Sequence, residues 1–521
     1  MPTPEQIWED ADPVARRLAG VALNPSSPQD VLLRLLADGP PAVHMVLCRD
    51  RTLPAAVVRA VLRHPDPRTR AFFVRNPHVD PADRARLVDD PEWFVRAHLA
   101  DGPRMPVGDL PRPLPDATVV HMIRTYDADL LGGTFDQQIS PGLLRAMPTH
   151  PVAKVRCRGV GKWSRLPADT RAALLADADE EVREQARRRA LSEDSARIEH
   201  ELPDRLCHAR WDILMYRGLG RAAVEGVLNA PLAEGERAAV AGNPSLPSDL
   251  VVLLSTDPDP AVREAVAGRA DLGPADLVVL LSTDPDPAVR EAVARRVDLG
   301  PAERRALAVD PDPEVRLALS LHPALTEAER AGIDYEVPVE DSFPVLCALR
   351  WPRDPQDVRR YADSGHPLLR RRAATERLLP ADLVERLADD DDLGVRVLLA
   401  QHHPDAPARL LLRSFLEYEG PERARLTTRP NFPTAGLAAF ADHDDPQVRA
   451  LVARDPRAAP ETVERLTRDP HPAVRAALAR HPNLPRPRLT ELLDDEELSH
   501  AAAANPAWEG EALRRMATPG R

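Results

Sequence analysis

Cysteine, lysine, aromatic side chains and long apolar runs are all scarce in this chain, and each scarcity removes a class of protein. The four cysteines, Cys48, Cys157, Cys207 and Cys347, stand 50 to 140 residues apart with no CxxC pair. That excludes the usual sequence signatures of a zinc or iron–sulfur site. Each thiol reads instead as a small apolar helix residue. No stretch approaches the ~18 apolar residues of a membrane span. The opening MPTPEQIWEDADPVARRLAG is polar, unlike a secretory leader. A cytoplasmic protein that does not engage membranes is therefore expected. Lysine occurs only at Lys154 and Lys162, so nearly every basic residue is Arg, and the net charge is −13. A protein that grips nucleic-acid phosphates normally shows a basic balance. Aromatics are only 4%, so the core must be Ala, Leu and Val. The motifs HExxH, GxSxG, GxxxxGK(S/T) and GxGxxG are missing, and with them the usual cues for metalloprotease, nucleophile-elbow and phosphate-cradle chemistry. The single pair His200-Glu201 supplies too few ligands to hold iron. No catalytic residue, no metal and no cofactor is expected.

What the chain does contain is a period. Residues 250–267, LVVLLSTDPDPAVREAVA, recur letter for letter at 277–294, a step of 27 residues. A fixed period of this size marks a solenoid. The Arg of the unit serves as a ruler. It falls at Arg16, Arg70, Arg96, Arg156, Arg183, Arg210, Arg237, Arg263, Arg290, Arg316, Arg370, Arg396, Arg423, Arg449 and Arg475. His44, Met122, Pro344 and Ser499 fill the gaps as degenerate members. This gives about 19 units, mostly 26 or 27 residues long. The 56 prolines fall at turns and helix starts, as repeat punctuation rather than disorder.

One unit, 257–283, shows the physics. Asp259 caps a helix whose first position is Pro260. Val262, Ala265 and Val266 share a face at helical spacing. Gly273 and Pro274 break the chain, and Leu277, Val278, Leu280 and Leu281 form a second apolar stripe. Each segment is about ten residues, too short to hold as an isolated helix. Each must bury its stripe against the next unit, so the expected fold is an all-α stack.

The pattern resembles the leucine-rich repeat variant family, within the HEAT- and armadillo-like helical repeat proteins. The carrying residues are Asn243-Pro244-Ser245-Leu246-Pro247 with Leu250 and Leu253, then Asp257-Pro258-Asp259-Pro260-Ala261-Val262-Arg263. The same block stands at 455–475 and at 76–96. The resemblance implies a right-handed superhelical solenoid of two-helix repeats, one helix of each pair being α or 3-10. A founding member of that family joins its repeats to a cysteine-ligated iron–sulfur cluster, and the scattered cysteines here depart from it. HEAT-like repeats also imply a structural ladder between units from the Asp that precedes each ruler Arg by six residues: Asp257 with Arg263, Asp284 with Arg290, Asp310 with Arg316.

Two interruptions divide the array. The expected segments are N-terminal repeats with a cap at 1–100, an irregular unit with a Pro-rich loop at 101–150, regular repeats at 151–324, a degenerate unit at 325–360, and C-terminal repeats with a cap at 361–521. The histidines His64, His150 and His443 take the place of the unit's Asp, and His322, His402 and His481 fall six residues after the ruler position. Spread over many units, they read as polar turn residues. Basic runs occur at Arg187–Arg189 and Arg370–Arg372. Of the tryptophans Trp93, Trp163, Trp211 and Trp351, the pair Trp163 and Trp351, with Arg370, Arg371 and Arg372, is the surface expected to meet a partner.

The expected function is a non-enzymatic scaffold that binds an unidentified protein through an extended solenoid surface, as a monomer. A nucleic-acid-binding HEAT-like protein using local Arg patches is the alternative. A repeat-based enzyme or chromophore lyase is the third reading. The Ala-, Pro- and Arg-rich composition is that of a GC-rich bacterial genome.

Overall fold

The computed structural model describes residues 3–105, 110–191, 207–229, 235–272, 275–337, 355–420 and 422–518. Among them every regular element is helical, and the helices come in repeating pairs, so the chain is an all-α solenoid. No helix among these residues is long and apolar enough to cross a membrane. His200, Glu201, Gly273, Pro274, Pro344, Cys347 and Trp351 lie outside the described residues. The helices group into two compact units, residues 1–186 with 434–521, and residues 187–433.

The exact repeat shows how the units are built. The pairs are Ser248–Leu254 with Pro260–Ala267, and Ala275–Ser282 with Pro287–Ala294. Asp259 and Asp286 stand at the N-caps, and their carboxylates accept the N–H groups of Ala261 and Ala288 at 3.0 and 2.9 Å. Identical letters give identical burial: Val262, Val266 and Ala267 are fully buried, and so are Val289, Val293 and Ala294. Each such Val contributes about 1.5–3 kcal/mol relative to an exposed one. In the second stripe Leu277, Val278 and Leu281 are buried, but Leu280 faces outward and is 46% exposed. The 3.6-residue turn carries it past the interface, so the stripe is narrower than the letters suggest. The second helices of successive pairs stack directly on one another, Glu236–Gly242 on the Pro-started Pro260–Ala267, Pro287–Ala294 and Pro313–Ser320 in turn. Both members of these regular pairs are α-helices. The 3-10 turns stand in irregular units, such as Phe135–Gln138 and Ala450–Arg454.

Two polar ladders tie each unit to the next. In the first, the ruler Arg of the regular units forks onto the Asp of the following unit, whereas Arg396 and Arg475 meet Glu417 and Glu497 and Arg96 reaches the Asp90 and Pro91 carbonyls. Arg263 Nε and Nη2 donate to Asp284 at 2.7 and 2.9 Å, and Nη1 donates to the Asp257 carbonyl at 2.7 Å. Arg290 repeats this on Asp310 and the Asp284 carbonyl, and Arg237 forks onto Asp257. Arg70 on Asp90, Arg156 on Asp177, Arg370 on Asp390 and Arg449 on Asp469 follow the same rule. Arg316 departs, reaching the Asp334 backbone carbonyl and lying 3.7 Å from its carboxylate. In the second ladder, the side chain near the end of each Pro-started helix donates to the last carbonyls of the previous one, the groups a helix cannot satisfy itself. Asn243 Nδ2 donates to Leu214 and Arg217 at 2.8 and 2.9 Å. Arg269 and Arg296 do the same to Ala241 and Ala267.

The substitutions in the period keep these bonds. His64 Nδ1 accepts the Asp66 N–H and its Nε2 bonds the Leu36 carbonyl. His481 Nε2 meets the Asp455 carbonyl at 2.8 Å. In one unit the helix Leu393–His402 is longer, so His403 rather than His402 takes the turn role, accepting the Asp405 N–H. The irregular segment 101–150 carries the second ladder through Gln138, whose Nε2 donates to Leu99 and Ala100 at 2.9 and 2.7 Å. Gly102, at φ 77°, lies so close to Gln138 that a Cβ would sit 2.6 Å from its amide. This segment is therefore a working unit as well as a break in the period.

Residues near the two ends of the chain pack on each other. In the unit that holds both termini, helix Pro13–Leu23 packs along Ser499–Ala503. Asn24 Nδ2 donates to the Ala503 and Asn505 carbonyls at 2.9 and 2.6 Å. Asn505 donates to Ala479 and His481, and Asn76 to Cys48 and Arg51. The bond that joins last repeat to first is thus the bond that joins neighbours. Gly20 lies against this joint, where a Cβ would come within 2.2 Å of the His500 carbonyl oxygen.

Two outcomes follow from the ladders. Arg290→Ala strands Asp310 and two carbonyls, and should cost about 3 kcal/mol in urea unfolding. Arg305→Ala, exposed and among the described residues bonded only to the Pro301 carbonyl of its own helix, should cost less than about 0.5 kcal/mol. Equal losses would remove the ladder's role. The second outcome concerns acid. Burial holds His322 down at about 4, His500 at about 4 and His366 at about 3. The unfolded chain, titrating near 6.5, takes up those protons first, so stability is complete above about pH 6.5 and falls as pH drops toward 4. His322→Asn, the residue other units use there, should reduce that slope by up to about 1.4 kcal/mol per pH unit. An unchanged slope would show that His322 does not contribute.

Candidate interaction groove

The stacking of Pro-started helices leaves a concave channel on their free faces. In residues 211–298 it encloses about 970 Å³. Its floor is Ala238, Gly242, Ala261, Ala265, Gly268 and Ala292, contributed by three successive helices. Ala261, Ala265 and Ala292 are each next in sequence to a buried Val (Val262, Val266 and Val293), so the helix turns them aside from the buried face, and their small side chains let the helices approach closely. At one end, helix His208–Tyr216 adds Trp211, Met215 and Tyr216 to the lining. Tyr216 is 69% exposed although its ring is large and apolar.

The charges on the rim are mostly spoken for. Arg269 lies 3.0 Å from Asp271 and Arg296 lies 2.7 Å from Asp298. Arg295 pairs with Glu291. Glu264 lines the groove with no cation within ion-pair reach among the described residues. Burial pushes the nearby Glu291 carboxyl up. Arg295 opposes this, and the charges of Glu314 and Glu264 add to it. The groove is thus a small-residue apolar floor with an aromatic end and a rim of mixed charge, on which Glu264 is left without a cation among the described residues.

The surface expected from sequence is placed differently. Trp163 is buried within the turn Trp163–Arg165, and Trp351 lies outside the described residues. Arg370 forks onto Asp390, Arg371 onto Asp392, and Arg372 pairs with Glu376. The three arginines are neighbours in sequence, but the helix turns them onto separate carboxylates, so they form no free basic patch. Asp257, Arg263, Asp284, Arg290 and Asp310 stand together in the first ladder, away from the groove floor. Trp211 is the one tryptophan considered from sequence that lines the groove. Sequence reasoning grouped Ala265 with Val262 and Val266 on the buried face; the structure leaves it half-buried in the groove, as it does Ala292, two residues after the ruler Arg in the identical copy.

Comparison with known proteins agrees with this architecture. Residues 235–259 and 472–497 match the sequence model described as leucine rich repeat variant. The chain carries repeats of that family, which are helical and related to HEAT-like repeats. No curated protein matches the chain. Among solved structures, the crystal structure of an engineered protein is similar at 13% identity, over 98% of this chain and 100% of that one, with a TM-score of 0.11. A score this low ties neither fold nor function to it.

Proposed function

We propose that the protein is a non-enzymatic scaffold that holds a protein partner along the groove of residues 211–298. The supporting observation is the groove itself: an Ala- and Gly-floored channel across three helices, ending in Trp211 and Tyr216. A channel with a small-residue floor accepts a helix at close approach, and apolar side chains at i, i+3, i+4 and i+7 supply the contact. Aromatics at one end serve as anchors. Glu264, with no cation in reach among the described residues, favours a partner helix with a Lys or Arg beside its apolar face. No reacting residue takes part, and recognition rests on shape and distributed contact.

Display selection of helical peptides against the intact protein tests this reading, with Ala265→Arg as the counter-selected variant. Ala265 stands half-buried in the floor, so a long side chain there obstructs the channel. Enriched peptides should carry an apolar helical face with an adjacent basic residue and bind Ala265→Arg at least about tenfold more weakly. Peptides that bind both proteins equally, or that carry acidic residues instead, would overturn it. Capture of nucleic acid with a steep loss of affinity in salt would favour the alternative.

A further inference from the structure

Nearly every arginine described above meets a carboxylate. A second pocket, of about 600 Å³ and far from the 211–298 groove in sequence, breaks that habit. Helices Pro41–Arg49, Pro67–Val74 and Trp93–Asp101 present the same free face there, and Pro4–Glu9 forms one wall. Arg49 is matched by Asp50 at 2.7 Å. Arg68, Arg75 and Arg104 also line the pocket, and among the described residues no carboxylate lies within ion-pair reach of their guanidinium groups. Arg75 is half-buried. Its Nη1 lies 3.5 Å from His98 Nδ1, and His98 is 3.7 Å from Asp101. Burial depresses Arg75, and although Asp101 opposes this, Arg104 and Arg49 add to it. Arg70, two residues from Arg68 on the same helix, forks onto Asp90 and does not line the pocket.

We propose that this pocket binds the oxyanion of a small ligand, a phosphate or carboxylate group, between Arg68, Arg75 and Arg104. Cations gathered around one pocket repel one another, as Arg104 and Arg49 do Arg75, and an anion among them removes that repulsion while forming charge-assisted bonds. Glu5 is the one acid in the lining besides Asp50, and it leaves the pocket with a net positive charge in a chain of net charge −13. The volume is that of a small-molecule site. The partly buried Phe72 offers an apolar surface beside the cations for the rest of the ligand.

Phenyl phosphate and benzoate share a ring and differ in the oxyanion, so calorimetry with each on the full chain identifies the source. One or both should bind at or below about 10 mM. The better ligand names the group. Arg68→Ala and Arg104→Ala remove exposed side chains that make no side-chain bond among the described residues, so the thermal midpoint should hold. Each should weaken binding about tenfold. Arg59→Ala, exposed on the adjacent helix Ala55–Val61, should leave affinity unchanged. Failure of both ligands to bind would overturn the assignment. Equal affinity in wild type, Arg68→Ala and Arg104→Ala would also overturn it.

Discussion

A helix of seven or eight residues leaves half of its carbonyls without an internal partner, and this solenoid is organised around supplying them from the next repeat. The side chain that follows each Pro-started helix reaches back to the preceding one: Asn243 to Leu214, Arg269 to Ala241, Arg296 to Ala267. An unsatisfied buried carbonyl costs about 1–3 kcal/mol, a large share of what one short unit gains from burial. The Arg–Asp ladder adds a second tie on the same joint. It links Arg263 to a carbonyl of its own unit and to Asp284 of the next, and Asp284 also accepts the Asp286 N–H. Position, capping and stacking are therefore one constraint.

That constraint explains which letters can change. The ladder needs a donor or an acceptor at a place, and Asn, Arg, His and Gln each meet the need. His64, His481 and Gln138 look like decay of the period, yet each makes the inter-repeat bond of its unit. Burying imidazoles in this role has a consequence for function. A solenoid with His322, His366 and His500 neutral inside loosens in mild acid at several places at once.

The period, the caps and the ruler Arg were legible because they repeat, and repetition separates structural letters from noise. The direction of side chains was less legible. Leu280 belongs to an apolar run but faces outward, and Arg370–Arg372 form a basic run that the helix distributes onto three carboxylates. The groove was not legible at all, since Ala238, Ala265 and Ala292 are ordinary helix letters until the stack aligns them. The joint between the chain's ends was equally hidden. Asn24 and Asn505 are 481 residues apart, and no local pattern indicates that one serves the other.

That joint is the most direct place to test whether the inter-repeat bond governs the fold, because it operates there without chain continuity. A Cβ at Gly510 would lie 3.0 Å from the Pro28 ring, close to the Cβ separation of about 3.5–4.5 Å that a disulfide requires. The measurement is the mass and thiol count of Pro28→Cys/Gly510→Cys after mild oxidation, with the four native cysteines replaced by alanine. A stack joined through Asn24 gives an intramolecular disulfide in the monomer. Free thiols, or disulfides found only in dimers, would contradict it.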